Sequence, residues 1–298
     1  MSRIRVTEVG PRDGLQNESE VIPTEAKVAF VNALGASGVD EIEVSGFVHP
    51  KWVPQLADAA DVFSQLERPA GVVYSALVPN EKGLERALDA GVDKIAVFTA
   101  ASETFNRTNI NASIAESLER FRPVLTQAQS QRLPVRGYVS TAFHCPYEGK
   151  VDPNRVVPVV EQLLELGVDE VSIGDTIGKA SPPEVRALLD VLMETLNSDR
   201  LVLHFHDTYG MAVANALAAW EDYGIARFDS SAGGLGGCPF APGAAGNVAT
   251  EDLGYALQAS GADVAVDGAA LVNAARGIEP HVSRALSSRL GRVLAASD

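Results

Sequence analysis

The sequence predicts an α/β fold, specifically a (β/α)8 TIM barrel with extra C-terminal helices. Three observations support this prediction. The chain has 298 residues, and a barrel of about 250 residues would fill most of that length. A short phrase that begins with glycine recurs at predicted helix-to-strand junctions. Strand and helix patterns alternate eight times, which is the order that a parallel barrel requires.

The recurring phrase marks where helices end and strands begin. It starts with Gly-Val-Asp at 38–42, 91–95 and 167–171, and a looser copy lies at 224–228. A glycine after the last helical turn takes the left-handed conformation that ends a helix. The apolar run that follows is typical of a short buried strand. The phrase therefore predicts the short αβ junctions that α/β units use.

Eight short, mostly apolar runs are the predicted barrel strands. They lie at about residues 3–9, 41–45, 71–77, 94–99, 134–140, 169–174, 200–205 and 226–231. Helical patterns lie near residues 24–36, 54–66, 81–90, 112–131, 152–166, 182–196, 210–222 and 249–259. The tail, about 266–298, is predicted to be extra helix. We therefore expect one domain, residues 1–298.

An open, doubly wound α/β sheet is the alternative fold. Such a sheet also alternates strands with helices, so the alternation does not exclude it. The glycine-rich turn that nucleotide-binding sheets place after their first strand is missing from this chain. That absence favours the closed barrel.

Charge and composition argue against several classes of protein. The net charge is −15, whereas a nucleic-acid-binding protein needs a basic footprint. No apolar run approaches the ~20 residues of a membrane helix, and residues 1–9 are typical of a strand and not of a signal segment. We expect a cytoplasmic protein that binds neither nucleic acid nor membrane. Cys145 and Cys238 are the two cysteines, too few for a disulfide framework.

An anionic substrate would need a local basic patch in so acidic a chain. Five basic residues in predicted loops are candidates: Arg12, Lys51, Arg107, Lys150 and Lys179. Basic side chains in loops are mostly solvated surface charges. Arg12 is the one that we favour for a site.

Polar and reactive side chains cluster just after the predicted strands. In a barrel, the carboxyl ends of the strands share one rim, where such enzymes place their active sites. The residues that would meet there, in chain order, are Arg12, Asp13, Glu43, Tyr138, Ser140, Asp175, His204, His206, Cys238 and Asn247. Side chains from separate strands would then converge on one pocket.

The segment His204-Phe205-His206 is the sharpest local signal in the chain. Residues two apart on a strand face the same side, so both imidazoles can reach one metal ion. Asp13 and the amide oxygen of Asn247 would complete a nitrogen and oxygen ligand set, which suits Mg²⁺ or Mn²⁺ better than a structural Zn²⁺. The alternative is a pair of histidines used only for packing or hydrogen bonds.

A glycine-rich segment, residues 233–237, directly precedes Cys238. Glycine this dense is entropically unfavourable unless unusual backbone conformations are needed. A mobile lid that carries a reactive thiol is one interpretation, and an ordinary structural loop is the other. The segment is no P-loop, because no Lys-Ser or Lys-Thr follows the glycines.

Glu43 and Asp175 are carboxylates on or beside predicted buried strands. An unpaired buried carboxylate is strongly unfavourable, so each should have a partner. Arg12 and the two histidines are the obvious partners. Structural salt bridges and support of a catalytic site both remain open for these two carboxylates.

These segments together resemble the 3-hydroxy-3-methylglutaryl-CoA lyases, which are metal-dependent barrels that perform aldol and Claisen-type chemistry. The likeness extends from Val9 to Asp252, nearly the whole chain. The motifs that carry it lie at residues 9–17, 47–48 with 50–54, 109–111, 135–140, 145–149, 174–178, 204–210, 233–239 and 247–252. So many long motifs in the right order make a chance match very improbable.

The resemblance implies a role for each matching residue. It implies cleavage of an acyl-CoA to acetyl-CoA and acetoacetate with a divalent metal, Mg²⁺ or Mn²⁺. The implied metal ligands are Asp13, His204, His206 and Asn247. The implied catalytic groups are Arg12 for the enolate, Glu43 in support, and Asp175 and Cys238 for proton transfer. Asp13, Asp175 and His204 all remain candidates for the base that takes the hydroxyl proton. By analogy with barrels of this class, we expect a homodimer.

Three alternatives to this function remain. Gly46, His49 and His144 depart from the family pattern, so the substrate could carry a longer 3-alkyl chain. A second alternative is a barrel that condenses acetyl-CoA with a 2-keto acid, although about 60 residues after the last strand leave little room for the regulatory domain common in such enzymes. The third is a non-catalytic acyl-CoA-binding protein, which the full set of reactive residues disfavours.

Overall fold

Eight parallel strands close into a barrel in this protein. The computed structural model describes residues 2–237 and 246–296. Its ten strands are β1 (Arg5–Glu8), β2 (Glu41–Gly46), β3 (Val73–Leu77), β4 (Lys94–Ala100), β5 (Val135–Ser140), β6 (His144–Cys145), β7 (Gly149–Lys150), β8 (Glu170–Asp175), β9 (Leu201–Phe205) and β10 (Arg227–Ser230). The barrel order is β1-β10-β9-β8-β5-β4-β3-β2, while β6 and β7 form a separate hairpin. The predicted fold class is confirmed, and the open sheet is excluded.

Helices surround the barrel. They are α1 (Thr24–Gly35), α2 (Ala59–Ser64), α3 (Glu81–Asp89), α4 (Glu103–Ile110), α5 (Ile114–Ser130), α6 (Pro153–Glu165), α7 (Pro182–Leu192), α8 (Ala212–Tyr223), α9 (Thr250–Ala259), α10 (Gly268–Ile278) and α11 (Arg289–Ala295). The predicted helix at 54–66 is instead a 3-10 turn followed by the short α2, and α4 was not predicted. The last two helices are the extra C-terminal ones, and α10 packs against α1 and α9.

Among the described residues, no helix combines the length and apolar character needed to cross a membrane. The cytoplasmic location stays a prediction.

The recurring Gly-Val-Asp phrase has two structural roles. Its glycines have positive φ angles, 84° at Gly38, 68° at Gly91, 96° at Gly167 and 68° at Gly224, which confirms the predicted left-handed helix ends. The aspartates, whose role was not predicted, each accept a hydrogen bond from a backbone N–H of the preceding barrel strand. The pairs are Asp40 with Val6 (3.0 Å), Asp93 with Tyr74 (2.9 Å) and Asp169 with Val135 (2.8 Å). The phrase therefore ties neighbouring strands together where they begin.

The inside of the barrel is charged near the start of the strands, whereas the core between strands and helices is apolar. Lys94 bonds to Glu41 (2.7 Å) and to Glu170, and Arg136 bonds to Glu170 (2.6 Å) and to Asp229 (2.8 Å). Because strand side chains alternate, this buried network lies on the same inner face as the residues of the rim above it. It forms a polar floor beneath the candidate site.

Candidate active site

A π-helical turn, Gly10–Gly14, follows β1 and sets Arg12 and Asp13 side by side. Arg12 is buried, with Nη1 2.7 Å from Asp13 Oδ1 and Nε 2.5 Å from Glu43 Oε2. Its guanidinium carbon lies 5.4 Å from the ring centroid of Tyr138. The predicted pairing of Glu43 with Arg12 is present in the structure.

These contacts fix the charge states of the turn. Burial works against the guanidinium, but Glu43 and Asp13 raise the pKa of Arg12 above its usual value. Burial would also raise the pKa of Asp13, yet Arg12 and the two histidines lower it well below its ordinary value. Burial raises the pKa of Glu43, with Arg12 opposing the shift. The turn therefore presents a permanent cation beside an ionised carboxylate.

His204 on β9 and His206 just beyond it face the same space as Asp13. Their ring centroids are 5.2 Å apart, and each of the three residues offers a ligand atom within 4.8 Å of the others. His206 Nε2 lies 3.8 Å from Asp13 Oδ2, and its buried Nδ1 has no hydrogen-bond partner among residues 2–237 and 246–296. Burial and the neighbouring His204 lower the pKa of His206 to about 4. A neutral imidazole with an available nitrogen is the form that binds a metal ion.

Asn247 brings an amide to the same cluster. It forms an antiparallel bridge with His206, and its Nδ2 donates to Asp13 Oδ2 (2.9 Å) and to the carbonyl of Leu235 (3.1 Å). Its Oδ1 is buried and has no hydrogen-bond partner within the described part of the chain. A carboxylate, two imidazoles and an amide oxygen form a set of oxygen and nitrogen donors that fits a divalent metal ion.

Asp175 lies at the end of β8, as predicted, but its carboxylate turns into its own loop. The two oxygens accept hydrogen bonds from the backbone N–H groups of Lys179 (3.1 Å) and Ala180 (2.9 Å). Burial raises the pKa of Asp175 to about 6, against these two hydrogen bonds, which lower it. The side chain therefore anchors a rim loop and has a pKa close to neutrality. Its predicted role in proton transfer stays a prediction.

The glycine-rich segment is described only up to Gly237, and Cys238 lies outside the described residues. Gly233, Gly234 and Gly236 have φ angles of 70°, 69° and 118°, which favour glycine over residues that carry a side chain. The interpretations of this segment as a mobile lid and of Cys238 as a reactive thiol stay predictions.

Of the five basic candidates, only Arg12 is buried in the site. Lys51 and Lys179 are exposed. Arg107 and Lys150 have side chains that are 63% and 66% exposed. The four others are therefore surface charges, as their positions in loops had indicated.

Two buried carboxylates near the turn were missed by sequence reasoning. Glu8 accepts hydrogen bonds from the N–H groups of Gly10 (2.9 Å) and Ala232 (3.0 Å) and from the hydroxyl of Thr250 (2.6 Å). Glu251 accepts from the N–H of Gly233 (3.1 Å). The pair joins the π-helical turn to the first residues of the glycine-rich segment. A charged residue on a strand predicted to be buried was the available signal for Glu8.

Glu8 should make stability depend on pH. Burial raises its pKa from 4.5 to about 7, despite hydrogen bonds from Thr250, Ala232 and Gly10 that lower it. The folded state thus binds this proton more tightly than the unfolded chain. The resulting stabilisation, on the order of 3 kcal/mol, is full below pH 4.5 and is lost as pH rises through about 7.

Glu8→Gln imitates the protonated acid, so we expect it to flatten the pH dependence of the unfolding free energy across that window. Chemical denaturation of both proteins at several pH values measures the effect. The exposed Glu20→Gln is the matched control. An unchanged pH profile in Glu8→Gln would contradict the prediction.

Fold and site together define a (β/α)8-barrel protein with a candidate divalent-metal centre at its carboxyl rim. The HMGL-like family model matches residues 3–278, and the chain belongs to that family. The family predicted from the sequence motifs is thereby confirmed.

Several relatives cover almost the whole chain. The 3-hydroxy-3-isohexenylglutaryl-CoA/hydroxymethylglutaryl-CoA lyase of Pseudomonas aeruginosa is 49% identical over 99% of this chain and 98% of its own. The solved HMG-CoA lyase of Bacillus subtilis is 47% identical, covers 99% of both chains and superposes with a TM-score of 0.96. An HMG-CoA lyase of Acinetobacter baumannii, solved with coenzyme A and 3-methylmalate, is 37% identical over 97% of this chain and 94% of its own, with a TM-score of 0.92.

Proposed function

We propose that this chain is a hydroxymethylglutaryl-CoA lyase, which cleaves 3-hydroxy-3-methylglutaryl-CoA into acetyl-CoA and acetoacetate. The observation that carries the proposal is the meeting of the Arg12–Asp13 pair with His204, His206 and Asn247 at one rim of the barrel. The names of relatives that match 99% of the chain support it. The coenzyme A bound to the Acinetobacter relative supports an acyl-CoA substrate.

The residues that would hold the metal are Asp13, His204, His206 and Asn247, and the orphaned Asn247 Oδ1 and His206 Nδ1 fit that role. Mg²⁺ or Mn²⁺ at this place would act as a Lewis acid and orient the substrate oxygens. The low pKa of Asp13 keeps its carboxylate ionised across the working pH range.

Arg12 is assigned to the thioester end of the substrate. Its Nε is held by Glu43 and its Nη1 by Asp13, which leaves Nη2 for the thioester oxygen. When the C2–C3 bond breaks, its electron pair moves onto that carbonyl to give an enolate, and a fixed cation there lowers the barrier.

Two protons have to move in this reaction. One leaves the tertiary hydroxyl as the ketone forms, and Asp13, Asp175 and His204 are the candidate bases. Between the two carboxylates we favour Asp175, because its pKa is about 6 whereas Asp13 is strongly acidic. The other is added to C2 to give acetyl-CoA. Cys238 is our proposed donor of that proton, on the family pattern. We also propose a single domain over residues 1–298 and a homodimer.

Product analysis tests the proposed function. Incubation with 3-hydroxy-3-methylglutaryl-CoA and Mg²⁺ should yield acetyl-CoA and acetoacetate in equal amounts, and removal of the metal with a chelator should stop the reaction. Release of free coenzyme A from acetyl-CoA and a 2-keto acid would instead indicate a condensing enzyme. Binding of the substrate without turnover would indicate a non-catalytic protein.

A longer 3-alkyl chain is the second candidate substrate, because the Pseudomonas aeruginosa relative is named for an isohexenyl substrate as well as the methyl one. The missing side chain of Gly46 does not provide the space. A Cβ there would lie 3.2 Å from Leu56 Cδ1 and 3.3 Å from Leu77 Cβ, so neighbouring side chains already fill the position. The two other residues that depart from the family pattern are His144, which bonds to Glu184 (3.1 Å), and His49, which is exposed.

We expect the chain to cleave both the methyl substrate and a longer 3-alkyl analogue. Comparison of kcat/KM for the two substrates measures this, and a preference for methyl above ~10²-fold would rule out the longer substrate. Gly46→Ala is the matched variant. Because Leu56 and Leu77 surround the position, the substitution should leave the ratio of the two kcat/KM values unchanged.

A further inference from the structure

Asp229 on β10 lies beside His204 and is fully buried. The two residues are register partners on neighbouring parallel strands, so their side chains leave the sheet on the same inner face. Asp229 Oδ2 lies 3.3 Å from His204 Nδ1 and accepts a hydrogen bond from the hydroxyl of Ser172 (2.7 Å). Its Oδ1 accepts from Arg136 Nη1 (2.8 Å). The carboxylate is therefore held on both oxygens.

Other hydrogen bonds hold the Arg136 guanidinium in its position against Asp229. Its guanidinium also donates to Glu170 Oε1 (2.6 Å) and to the hydroxyl of Thr7 (2.9 Å), and it lies 3.3 Å from Glu41 Oε2. Arginine offers only donors, so the oxygen that faces it acts as an acceptor. The polar floor thus fixes the position of Asp229 from below.

We propose that Asp229 is a positioning residue that keeps the proton of His204 on Nδ1, so that the Nε2 lone pair faces the cluster with Asp13 and His206. A carboxylate that contacts one ring nitrogen accepts the N–H from it and thereby sets the tautomer and orientation of the ring. The inference rests on the proposed metal function for the role of Nε2, whereas the tautomer itself does not depend on it.

His206 provides an internal comparison. Its Nδ1 is buried, and among the described residues it has no hydrogen-bond partner of the kind that Asp229 gives His204 Nδ1. The two imidazoles of the cluster are thus held in different ways. Loss of the Asp229 carboxylate should disturb His204 and leave the tautomer of His206 unchanged.

The first test needs no substitution. Long-range ¹H–¹⁵N NMR of the full chain, stripped of metal and kept at alkaline pH, reports which nitrogen of each imidazole carries the proton. With five histidines in the chain, the spectrum can be assigned by single replacements. We expect the Nδ1–H tautomer at His204. Detection of the Nε2–H tautomer there would overturn the inference.

The second test is Mn²⁺ affinity, measured by titration calorimetry. Asp229→Asn should weaken it by ~10- to 100-fold, the usual scale for a residue that orients a metal-binding histidine, and should mix the His204 tautomers. Ser172→Ala, which removes one hydrogen bond but no charge, should shift both readouts less, and it serves if Asp229→Asn does not fold. The exposed Asp222→Asn is the control.

The outcomes distinguish a failure of the positioning role of Asp229 from a failure of the proposed function. Wild-type affinity and an unchanged His204 tautomer in Asp229→Asn would reject the positioning role. An unmutated chain that neither binds Mn²⁺ nor cleaves substrate would reject the proposed function instead, and the tautomer measurement would still decide the arrangement of Asp229 and His204.

Discussion

Arg12→Gln should lower kcat by ~10²–10³ while KM changes little. The lost interaction is a charge-assisted contact to an enolate oxygen that exists only in the transition state, worth on the order of 3–4 kcal/mol. Arg12 suits this role because it is buried and already held by Glu43 and Asp13, so it needs little reorganisation during the reaction. Steady-state kinetics with 3-hydroxy-3-methylglutaryl-CoA measures both constants.

Two further variants make the result interpretable. Arg12→Lys keeps the charge but cannot hold Glu43 and Asp13 with a planar fork, so we expect an intermediate loss of kcat. Arg122→Gln, on an exposed helix face and paired with Glu119, controls for a lost surface arginine. Circular dichroism checks that Glu43, left without its partner, has not unfolded the chain. A rise in KM at constant kcat would instead place Arg12 on the CoA portion of the substrate.

The order of the barrel and the rim of the site could be predicted because their signals are local. The glycine of each repeated phrase marks a helix end through its own backbone conformation, as the positive φ of Gly38 shows. His204 and His206 come together because residues two apart on a strand share a face, a fact that needs no tertiary information. Asp13 joins them only when the barrel closes, and closure was predicted from the eightfold alternation of elements together with the missing glycine-rich turn after the first strand.

The supports of the site could not be predicted, because their partners are remote in the chain. Glu8 accepts from the N–H of Ala232, 224 residues away, and no pattern within a strand indicates which backbone amide a carboxylate will meet. Arg136 and Asp229 lie 93 residues apart and contact each other only across the closed barrel. Asp175 was placed at the correct strand end, but the hydrogen bonds that it accepts from its own loop depend on a loop conformation that composition does not specify.

His206→Ala should weaken Mn²⁺ binding by more than ~10²-fold and abolish turnover at ordinary metal concentrations. The variant removes a neutral imidazole from the cluster with Asp13 and His204, and His204 is then the one nitrogen ligand that the described cluster retains. Asn247→Ala should weaken binding less, because water can replace an amide oxygen. Its effect should still exceed that of a lost oxygen alone, since Asn247 Nδ2 also holds Asp13 Oδ2 at 2.9 Å.

Titration calorimetry with Mn²⁺ ranks the variants, and His281→Ala, at an exposed turn, is the matched control for a lost imidazole. Excess Mn²⁺ should restore part of the activity of Asn247→Ala but little of that of His206→Ala. The reason is that Asn247→Ala keeps the carboxylate of Asp13 and both imidazoles, whereas His206→Ala loses one imidazole. The reverse order of affinities would mean that the ion sits nearer Asn247 and Leu235 than the imidazoles. Equal Mn²⁺ affinity in the unmutated chain, His206→Ala and Asn247→Ala would mean that the metal does not bind at this rim. The remaining role of Asp13 would then be to hold Arg12.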